Sequence, residues 1–243
     1  LNHDWMIGSF QFGGKRRTKD GGYTQDGVGN VENGGWIAPL FYDPNDQMKI
    51  YSLGDKVTVS EDFGSTWNDL ATPFGLTESV NYATIAENNS DNIVVTRGNQ
   101  IKLSVDGGTT FTSIESNLPN NYITDVAFDP NNDDIILVTY GSYNGNNNKV
   151  YVTYDQGNTW KNITYNLGYL PVRSVVIDHS ENSTIYIGTE IGVYKKSMSA
   201  NSWELYSQGL PNMSILELDI VYGSNTLRAA TWGRGLWEYS LDG

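Results

Sequence analysis

The octapeptide SEDFGSTW, residues 60–67, decides the fold because its pattern returns along the chain. The complete pattern is a polar turn with an acid and a glycine, followed by an aromatic residue. SVDGGTTF at 104–111 and TYDQGNTW at 153–160 match it closely. TKDGGYTQ at 18–25 has Gln25 in the aromatic position, and SMSANSW at 197–203 is one residue shorter, with Ser199 in place of the acid. Asp242 begins a further copy. The pattern is an internal repeat of about 45 residues.

A second marker keeps the same period. It reads FYDPNDQ at 41–47, IAENNSD at 85–91, FDPNNDD at 128–134 and IDHSENS at 177–183. Between the markers, runs such as YITDVAF, DIILVTY, KVYVTYD and NTWKNIT have the alternation and β-branched content of strands. Four strands in a period of this length predict a β-propeller blade, with strands A to D.

The octapeptide falls between strands C and D, where the chain must reverse. Its aspartate can accept main-chain N–H groups within the turn. Its glycine tolerates a left-handed backbone, and its aromatic side chain can pack against the neighbouring blade. We therefore assign a structural role to Asp20, Asp62, Gly64, Trp67, Asp106, Gly108, Phe111, Asp155, Gly157 and Trp160.

These copies resemble the Asp-box, or BNR, repeat S-x-D-x-G-x-T-W of sialidases, xyloglucanases and sortilin-type propellers. The stretches IYIGTEIGVYKKS and LRAATWGRGLWEYSL are similar to late blades of secreted bacterial members described as sortilin-like or glycosyl-hydrolase-like. The resemblance covers essentially the whole chain. It implies an all-β propeller of four-stranded antiparallel blades with Asp-box C–D turns, in a secreted or cell-surface protein.

About six blades are expected, with periods near 1–33, 34–77, 78–121, 122–170, 171–213 and 214–243. Aligning NHDWMIGS with NDQMKIYS places the first residues in an A–B turn, so the first blade is expected to lack strand A. The last blade is expected to lack strand D. We interpret residues 1–243 as a single propeller domain or propeller fragment. It is expected to be the C-terminal part of a longer propeller, or a six-bladed propeller without two of its strands, and the missing strands or blades are expected upstream of Leu1.

Composition argues against several classes of function. The formal net charge of −13 opposes binding to nucleic acid. There are no cysteines, and the two histidines lie far apart in sequence, so we expect no metal site and no cofactor. No apolar run is long enough to span a bilayer, so we expect no membrane insertion.

Ligand-binding residues are expected in the B–C and D–A loops, because the Asp-box turns occupy the opposite face of a propeller. Tyrosine and tryptophan there could stack on a sugar, and arginine could bind a carboxylate. The candidates are Arg97, Tyr143, Tyr169, Arg173, Glu190, Trp232 and Arg234.

Two functions of different classes follow. The first is a noncatalytic module that binds a glycan or protein ligand. The alternative is the C-terminal part of a glycoside hydrolase, xyloglucanase-like or sialidase-like, acting on polysaccharide. Glycoside hydrolysis usually needs two facing carboxylates. Glu190 in GTEIG is the catalytic candidate, because xyloglucanase-type propellers carry an acid in a similar turn, but no motif marks its partner. The other acids predicted on this face are Asp26, Glu32, Asp55 and Glu78.

Overall fold

A computed structural model describes residues 3–30, 36, 38–75, 80–143 and 147–241. These residues form 22 β-strands in six antiparallel sheets, together with two short 3-10 turns at Gln11–Gly13 and Tyr165–Leu167. The chain divides into two compact units, Leu1–Ser113 and Ile114–Gly243. Glu32, Glu78 and Asp242 lie outside the described residues. No helix in the described part has the length and apolar character that crossing a membrane requires.

The first unit contains three sheets, each built from strands that are consecutive in sequence. The first sheet has three strands, as the repeat alignment predicts, and the next two have four. The strands are β1 Met6–Phe10, β2 Gly14–Thr18 and β3 Asp26–Asn30; β4 Leu40–Asp43, β5 Asp46–Leu53, β6 Val57–Ser60 and β7 Asn68–Asp69; and β8 Tyr82–Ile85, β9 Ile93–Arg97, β10 Gln100–Ser104 and β11 Thr112–Ser113.

The second unit repeats this organisation, with two four-stranded sheets and a final sheet of three strands. The strands are β12 Ile123–Asp129, β13 Asn132–Tyr140, β14 Val150–Thr153 and β15 Lys161–Asn162; β16 Val172–Ile177, β17 Thr184–Thr189, β18 Gly192–Ser197 and β19 Glu204–Leu205; and β20 Ile215–Val221, β21 Thr226–Thr231 and β22 Gly235–Ser240.

Burial follows strand order within a sheet. The second strand of each four-stranded sheet contains at least four consecutive buried residues, as at Ile93–Arg97, because a sheet packed between others exposes neither face there. The fourth strand is only two residues long and exposed. In the second unit, a core cluster joins residues of adjacent sheets, including Leu137, Val175 and Ile187.

Four of the repeated turns, at Asp20, Asp62, Asp106 and Asp155, are closed by their own side chains. Ser60 Oγ donates to Asp62 Oδ1 at 2.8 Å and accepts the N–H of Gly64 at 2.7 Å. The Asp62 carboxylate accepts the Thr66 N–H through Oδ1 and the Thr66 hydroxyl through Oδ2, both at 2.8 Å. The same set of bonds surrounds Asp20, Asp106 and Asp155.

The turn glycine is required for two reasons. Gly64 has φ +83°, in the left-handed region that L side chains rarely adopt. A Cβ there would also lie 2.8 Å from Ile7 Cδ1 of the preceding sheet. Gly157 repeats both features, with φ +87° and a Cβ position 2.6 Å from Ile114 Cβ. The turns therefore approach the preceding strands too closely for any other residue.

Three tryptophans extend this approach into hydrogen bonds. Their indole Nε1 groups donate to main-chain carbonyls that lie well upstream in sequence: Trp67 to Val28 at 2.6 Å, Trp160 to Ile114 at 2.7 Å and Trp203 to Ile163 at 2.8 Å. Trp203 makes this bond although its turn, residues 197–203, has Ser199 in place of the aspartate. The sequence suggests that the aromatic residue begins the fourth strand, but that strand starts one residue later, a difference within the usual uncertainty of strand ends.

Replacement of Trp203 tests the value of the indole bond. Trp203 is 3 % exposed, so Trp203→Phe leaves the Ile163 carbonyl buried without its donor. We expect it to lower the free energy of unfolding by about 1–3 kcal/mol, and Trp203→Ala by about 3–5 kcal/mol. Denaturant titration followed by circular dichroism gives both values. Trp232→Phe, at a side chain 74 % exposed, is the matched control, with an expected change within about 0.5 kcal/mol. An equally small change in Trp203→Phe would contradict this role.

The turn aspartates predict a loss of stability in acid. Hydrogen bonds from Thr66 lower the pKa of Asp62 to about 2, and those from Thr24 lower the pKa of Asp20 to about 2. A carboxyl group with a lowered pKa stabilises the fold above its ordinary value of 3.8 and loses this effect as pH falls toward 2. We expect the melting temperature to fall steeply between pH 4 and pH 2.

Asp62→Asn isolates the contribution of one turn. We expect it to melt a few degrees below the parent at pH 7 and to converge with it near pH 2, as measured by circular dichroism. Glu61→Gln, an exposed acid in the same turn, is the control and should follow the parent at every pH. If the melting temperature of Asp62→Asn stayed below that of the parent by the same amount at every pH, the ionised Asp62 carboxylate would not be the source of the stabilisation.

Candidate functional site

The structure brings three of the candidates together in the second unit. Tyr143 follows β13, Arg173 lies in β16, and Glu190 occupies the turn between β17 and β18. Arg173 Nε donates to Glu190 Oε1 at 2.7 Å, and Arg173 Nη2 contacts the same oxygen. Arg173 Nη2 also donates to the Tyr143 hydroxyl at 3.4 Å. We call these three residues the Arg173 site.

A β-bulge directs Arg173 toward its partners. The register of β16 with β17 passes from Val172 opposite Thr189 to Ser174 opposite Gly188, so Arg173 has no opposite residue. Such a bulge re-aims a side chain that regular pairing would fix to one face of the sheet. The first strands of the other two sheets in this unit carry the same irregularity, at Thr124 and Leu216. The repeat therefore places a bulged residue at the start of each first strand.

The ion pair leaves part of each charged group available. Arg173 and Glu190 side chains are 33 % and 23 % exposed. Among the described residues, no group accepts from Arg173 Nη1 and none donates to Glu190 Oε2. Burial lowers the pKa of Arg173, but the hydrogen bond and charge of Glu190 outweigh it and leave the pKa raised. The site therefore presents a permanent cation beside a carboxylate oxygen.

The loop that carries Tyr143 is anchored at its base. The buried Lys149 ammonium donates to the Ser142 carbonyl, and burial lowers the pKa of Lys149. A Cβ at Gly141 would lie 2.6 Å from Thr124 Cγ2 and 3.7 Å from Arg173 Nη1, so only glycine fits there. Tyr143 itself is 71 % exposed. Its side chain is thus largely exposed, with its hydroxyl beside Arg173.

Asp125 is a feature that sequence reasoning missed. Its carboxylate accepts the N–H of Val126 and that of Val175 in the next sheet, both at 2.8 Å. Burial raises the pKa of Asp125 to about 7, against the opposing effect of these bonds and with a further contribution from Glu217. Asp125 in β12 therefore holds β16 just after the Arg173 bulge, through the N–H of Val175. The only sequence signal was that β12 and β20, each the first strand of its sheet, carry an acid at the matching position, Asp125 and Glu217.

The remaining candidates do not join this cluster. Tyr169 lies between β15 and β16, and Trp232 and Arg234 lie in the turn between β21 and β22. In the described part of the chain, no hydrogen bond, ion pair or ring contact links them to the Arg173 site. Tyr169 and Trp232 are largely exposed. Arg97 ends β9 in the first unit.

The other acidic candidates give no paired site. Asp55 is buried and Asp26 is exposed, both in the first unit. No group of three or more His, Asp or Glu side chains in the described residues is arranged to hold a metal ion. No second carboxylate contacts Arg173 or Tyr143 within the same residues.

Solved structures show the fold. An ancestral GH74 enzyme matches 98 % of this chain at 16 % identity with a TM-score of 0.74, over 35 % of its own length. The GH74 xyloglucanase from Xanthomonas campestris matches 97 % of this chain at 14 % identity with a TM-score of 0.74, over 42 % of its own length. YCF48 from Cyanidioschyzon merolae matches 96 % of this chain at 13 % identity with a TM-score of 0.63, over 76 % of its own length. The chain thus spans less than half the length of these GH74 structures, and identities this low show the fold alone.

Sequence comparison identifies the family. No curated protein sequence matches the chain significantly. The Sortilin-Vps10 family model, described as sortilin, neurotensin receptor 3, matches residues 55–207, which is more than half of the chain. The strand order, the repeated turns and the solved relatives agree with a propeller of this type. The chain is a β-propeller module and belongs to the Sortilin-Vps10 family.

Proposed function

We propose that this propeller is a noncatalytic module of a secreted or cell-surface bacterial protein and binds a glycan or protein ligand through the Arg173 site. The observation that carries the proposal is the cluster itself. An exposed tyrosine, a guanidinium and a carboxylate from three different segments of the second unit meet within hydrogen-bonding distance. Convergent polar groups beside an exposed ring are typical of ligand sites.

The chemistry of the site favours a glycan. Arg173 Nη1 supplies donors and Glu190 Oε2 supplies an acceptor, and both belong to groups already fixed by their mutual bond. Two neighbouring sugar hydroxyls can accept from the first and donate to the second. The Tyr143 ring adds an apolar face for the C–H surface of the same sugar. A protein ligand would use the same groups through a side-chain or main-chain amide.

The engagement of Glu190 supports a noncatalytic role. In glycosidases of the two-carboxylate type, an acid and a nucleophile or base flank the bond about 5–5.5 or about 6.5–9.5 Å apart. Glu190 instead shares one oxygen with two nitrogens of Arg173. Its partner in this cluster is therefore a cation rather than a second carboxylate.

The alternative is a part of a glycoside hydrolase, xyloglucanase-like or sialidase-like, acting on polysaccharide. Its support is the likeness to the GH74 enzymes, one of them named a xyloglucanase, of which this chain spans less than half. A sialidase-like site would need three convergent arginines. Within the second unit, no hydrogen bond or ion pair among the described residues joins Arg234 to Arg173 or Glu190.

Binding to xyloglucan oligosaccharides tests the proposal. Isothermal titration calorimetry should show binding by the parent chain, weakened about tenfold or more in Tyr143→Ala, because the ring is an exposed anchor. Arg173→Lys should weaken it similarly, because lysine has no planar fork to hold Glu190 and a ligand together. Tyr23→Ala is the control, since Tyr23 is 93 % exposed in the turn of the first sheet.

Two outcomes would count against the proposal. Equal affinity of the parent and Tyr143→Ala would show that the ligand does not bind at the Arg173 site. Release of reducing ends by the parent chain, lost in Glu190→Gln, would favour the hydrolase instead.

A further inference from the structure

The main chain around Arg173 is held from the side by the preceding sheet. The bulge leaves Arg173 without an opposite residue in β17, so regular pairing does not fix its position. Thr124 Oγ1 donates to the Val172 carbonyl at 2.7 Å, and the Asp125 carboxylate accepts the Val175 N–H at 2.8 Å. Two consecutive residues of β12 therefore bracket residues 172–175, which we call the Arg173 segment.

Stacking of the sheets does not require the carboxylate. Asp125 is the first residue after the bulge of its strand, and Ser174 occupies this position in β16. Ser174 is 2 % exposed, and its hydroxyl has no hydrogen-bond partner among the described residues, yet β16 packs against β20. Removing a carboxylate from bulk water is costly. The carboxylate at Asp125 therefore points to a role beyond sheet packing.

The ionised form of Asp125 suits the bracket best. Oδ1 accepts the Val126 N–H, and Oδ2 accepts the Val175 N–H. Hydrogen bonds to an ionised acceptor are roughly twice as strong as neutral ones. A protonated carboxyl group also carries a hydrogen on one of the two oxygens, which then accepts less well. Protonation therefore weakens the hold of β12 on the Arg173 segment.

The surroundings of Asp125 bring this change into the neutral pH range. Burial raises its pKa from 3.8 to about 7, and the charge of Glu217 in β20 adds to the effect. Part of the residue is still accessible to solvent, so a proton can reach it. Because the pKa is raised, Asp125 stabilises the fold when protonated and loses this contribution as pH rises through about 7. The ionised form thus costs free energy while it tightens the bracket.

The other charged residues of the strands packed against β12 do not offset this cost. In β16, Arg173 is engaged by Glu190. In β13, Asp133 and Asp134 lie at the opposite end of the strand from the residue that faces Asp125. No cation among the described residues forms an ion pair with Asp125.

We propose that Asp125 is a positioning residue for the Arg173 site and makes ligand binding there depend on pH. The ionised carboxylate holds the Arg173 segment in the geometry that pairs with Glu190 and Tyr143. Protonation loosens the segment and lowers the affinity for the ligand. The effect on affinity rests on the proposed function, whereas the positioning of Arg173 does not.

Nuclear magnetic resonance of the Arg173 Nε–H group tests the positioning without a ligand. As pH is lowered through about 7, we expect its proton signal to move upfield, because the bond to Glu190 weakens. Arg173→Lys identifies the signal by its absence. The Nε–H of Arg228, which donates to Glu238 Oε2 at 2.8 Å, is the internal control and should not respond.

Three variants separate the carboxylate from its surroundings. Asp125→Asn cannot ionise, so its Arg173 signal should stay at the acid position at every pH. Glu217→Gln should move the midpoint to lower pH, because it removes a charge that favours the proton. Thr124→Val removes the other bond of the bracket and should displace the signal without moving the midpoint. Histidines also change charge in this range, but every variant retains both, so their effect cancels.

Calorimetry with xyloglucan oligosaccharides gives the functional readout. The parent should bind about fivefold or more weakly one pH unit below the midpoint than one unit above it. Asp125→Asn should show the weaker affinity at both. An Arg173 signal that ignores pH, or that responds equally in Asp125→Asn, would overturn the positioning role. Equal affinity of the parent at both pH values would overturn the effect on binding. Absence of binding at any pH would instead contradict the proposed function, and the resonance experiment would still decide the role of Asp125.

Discussion

The hydrogen bond from a tryptophan indole to an upstream main-chain carbonyl links adjacent elements in both units. A four-stranded sheet in this chain has two apolar faces and cannot bury both alone. Close stacking solves this problem only if something fixes the spacing and register of neighbouring sheets. The indole bond does so at Trp67, Trp160 and Trp203. In each case the ring fills the gap between the two elements, and its N–H pairs with a carbonyl that would otherwise be buried without a donor.

The turn before each tryptophan makes this contact possible. Its aspartate and hydroxyl side chains satisfy the turn internally, and its glycine permits a close approach to the preceding strand. Trp203 shows which part is dispensable, since its turn has lost the aspartate but the ring remains 3 % exposed. A buried indole with its hydrogen bond is therefore compatible with a turn that has no aspartate.

The Arg173 site depends on this rigid stacking. Tyr143 follows β13, Arg173 lies in β16 and Glu190 follows β17, so the three meet only if two neighbouring sheets are held in register. The bulge at Arg173 then turns one side chain out of the regular alternation of its strand. Thus the sheets provide positions, and the irregular residues at their ends provide the chemistry.

Sequence reasoning reached the repeated elements more easily than the contacts. The strand pattern and the three-stranded first and last sheets followed from period and polarity, because these properties can be read along the chain. The resemblance to sortilin-type propellers followed from the spelling of the repeated octapeptide. The pairing of Arg173 with Glu190 did not, since it depends on a one-residue bulge that no residue type announces. Asp125 escaped notice for a related reason: its raised pKa comes from burial between strands, which the sequence alone does not reveal. Tyr169, Trp232 and Arg234 were chosen by loop position, which does not determine mutual contact.

Hydrogen exchange of the indole N–H groups tests the central claim most directly. The chain has seven tryptophans, and their indole signals can be followed separately by nuclear magnetic resonance after transfer to heavy water. The account predicts that the signals of Trp67, Trp160 and Trp203 persist, while those of the exposed Trp36 and Trp232 disappear at once. Exchange of Trp203 as fast as that of Trp232 would contradict it, because an indole bonded between packed sheets cannot reach solvent without opening them.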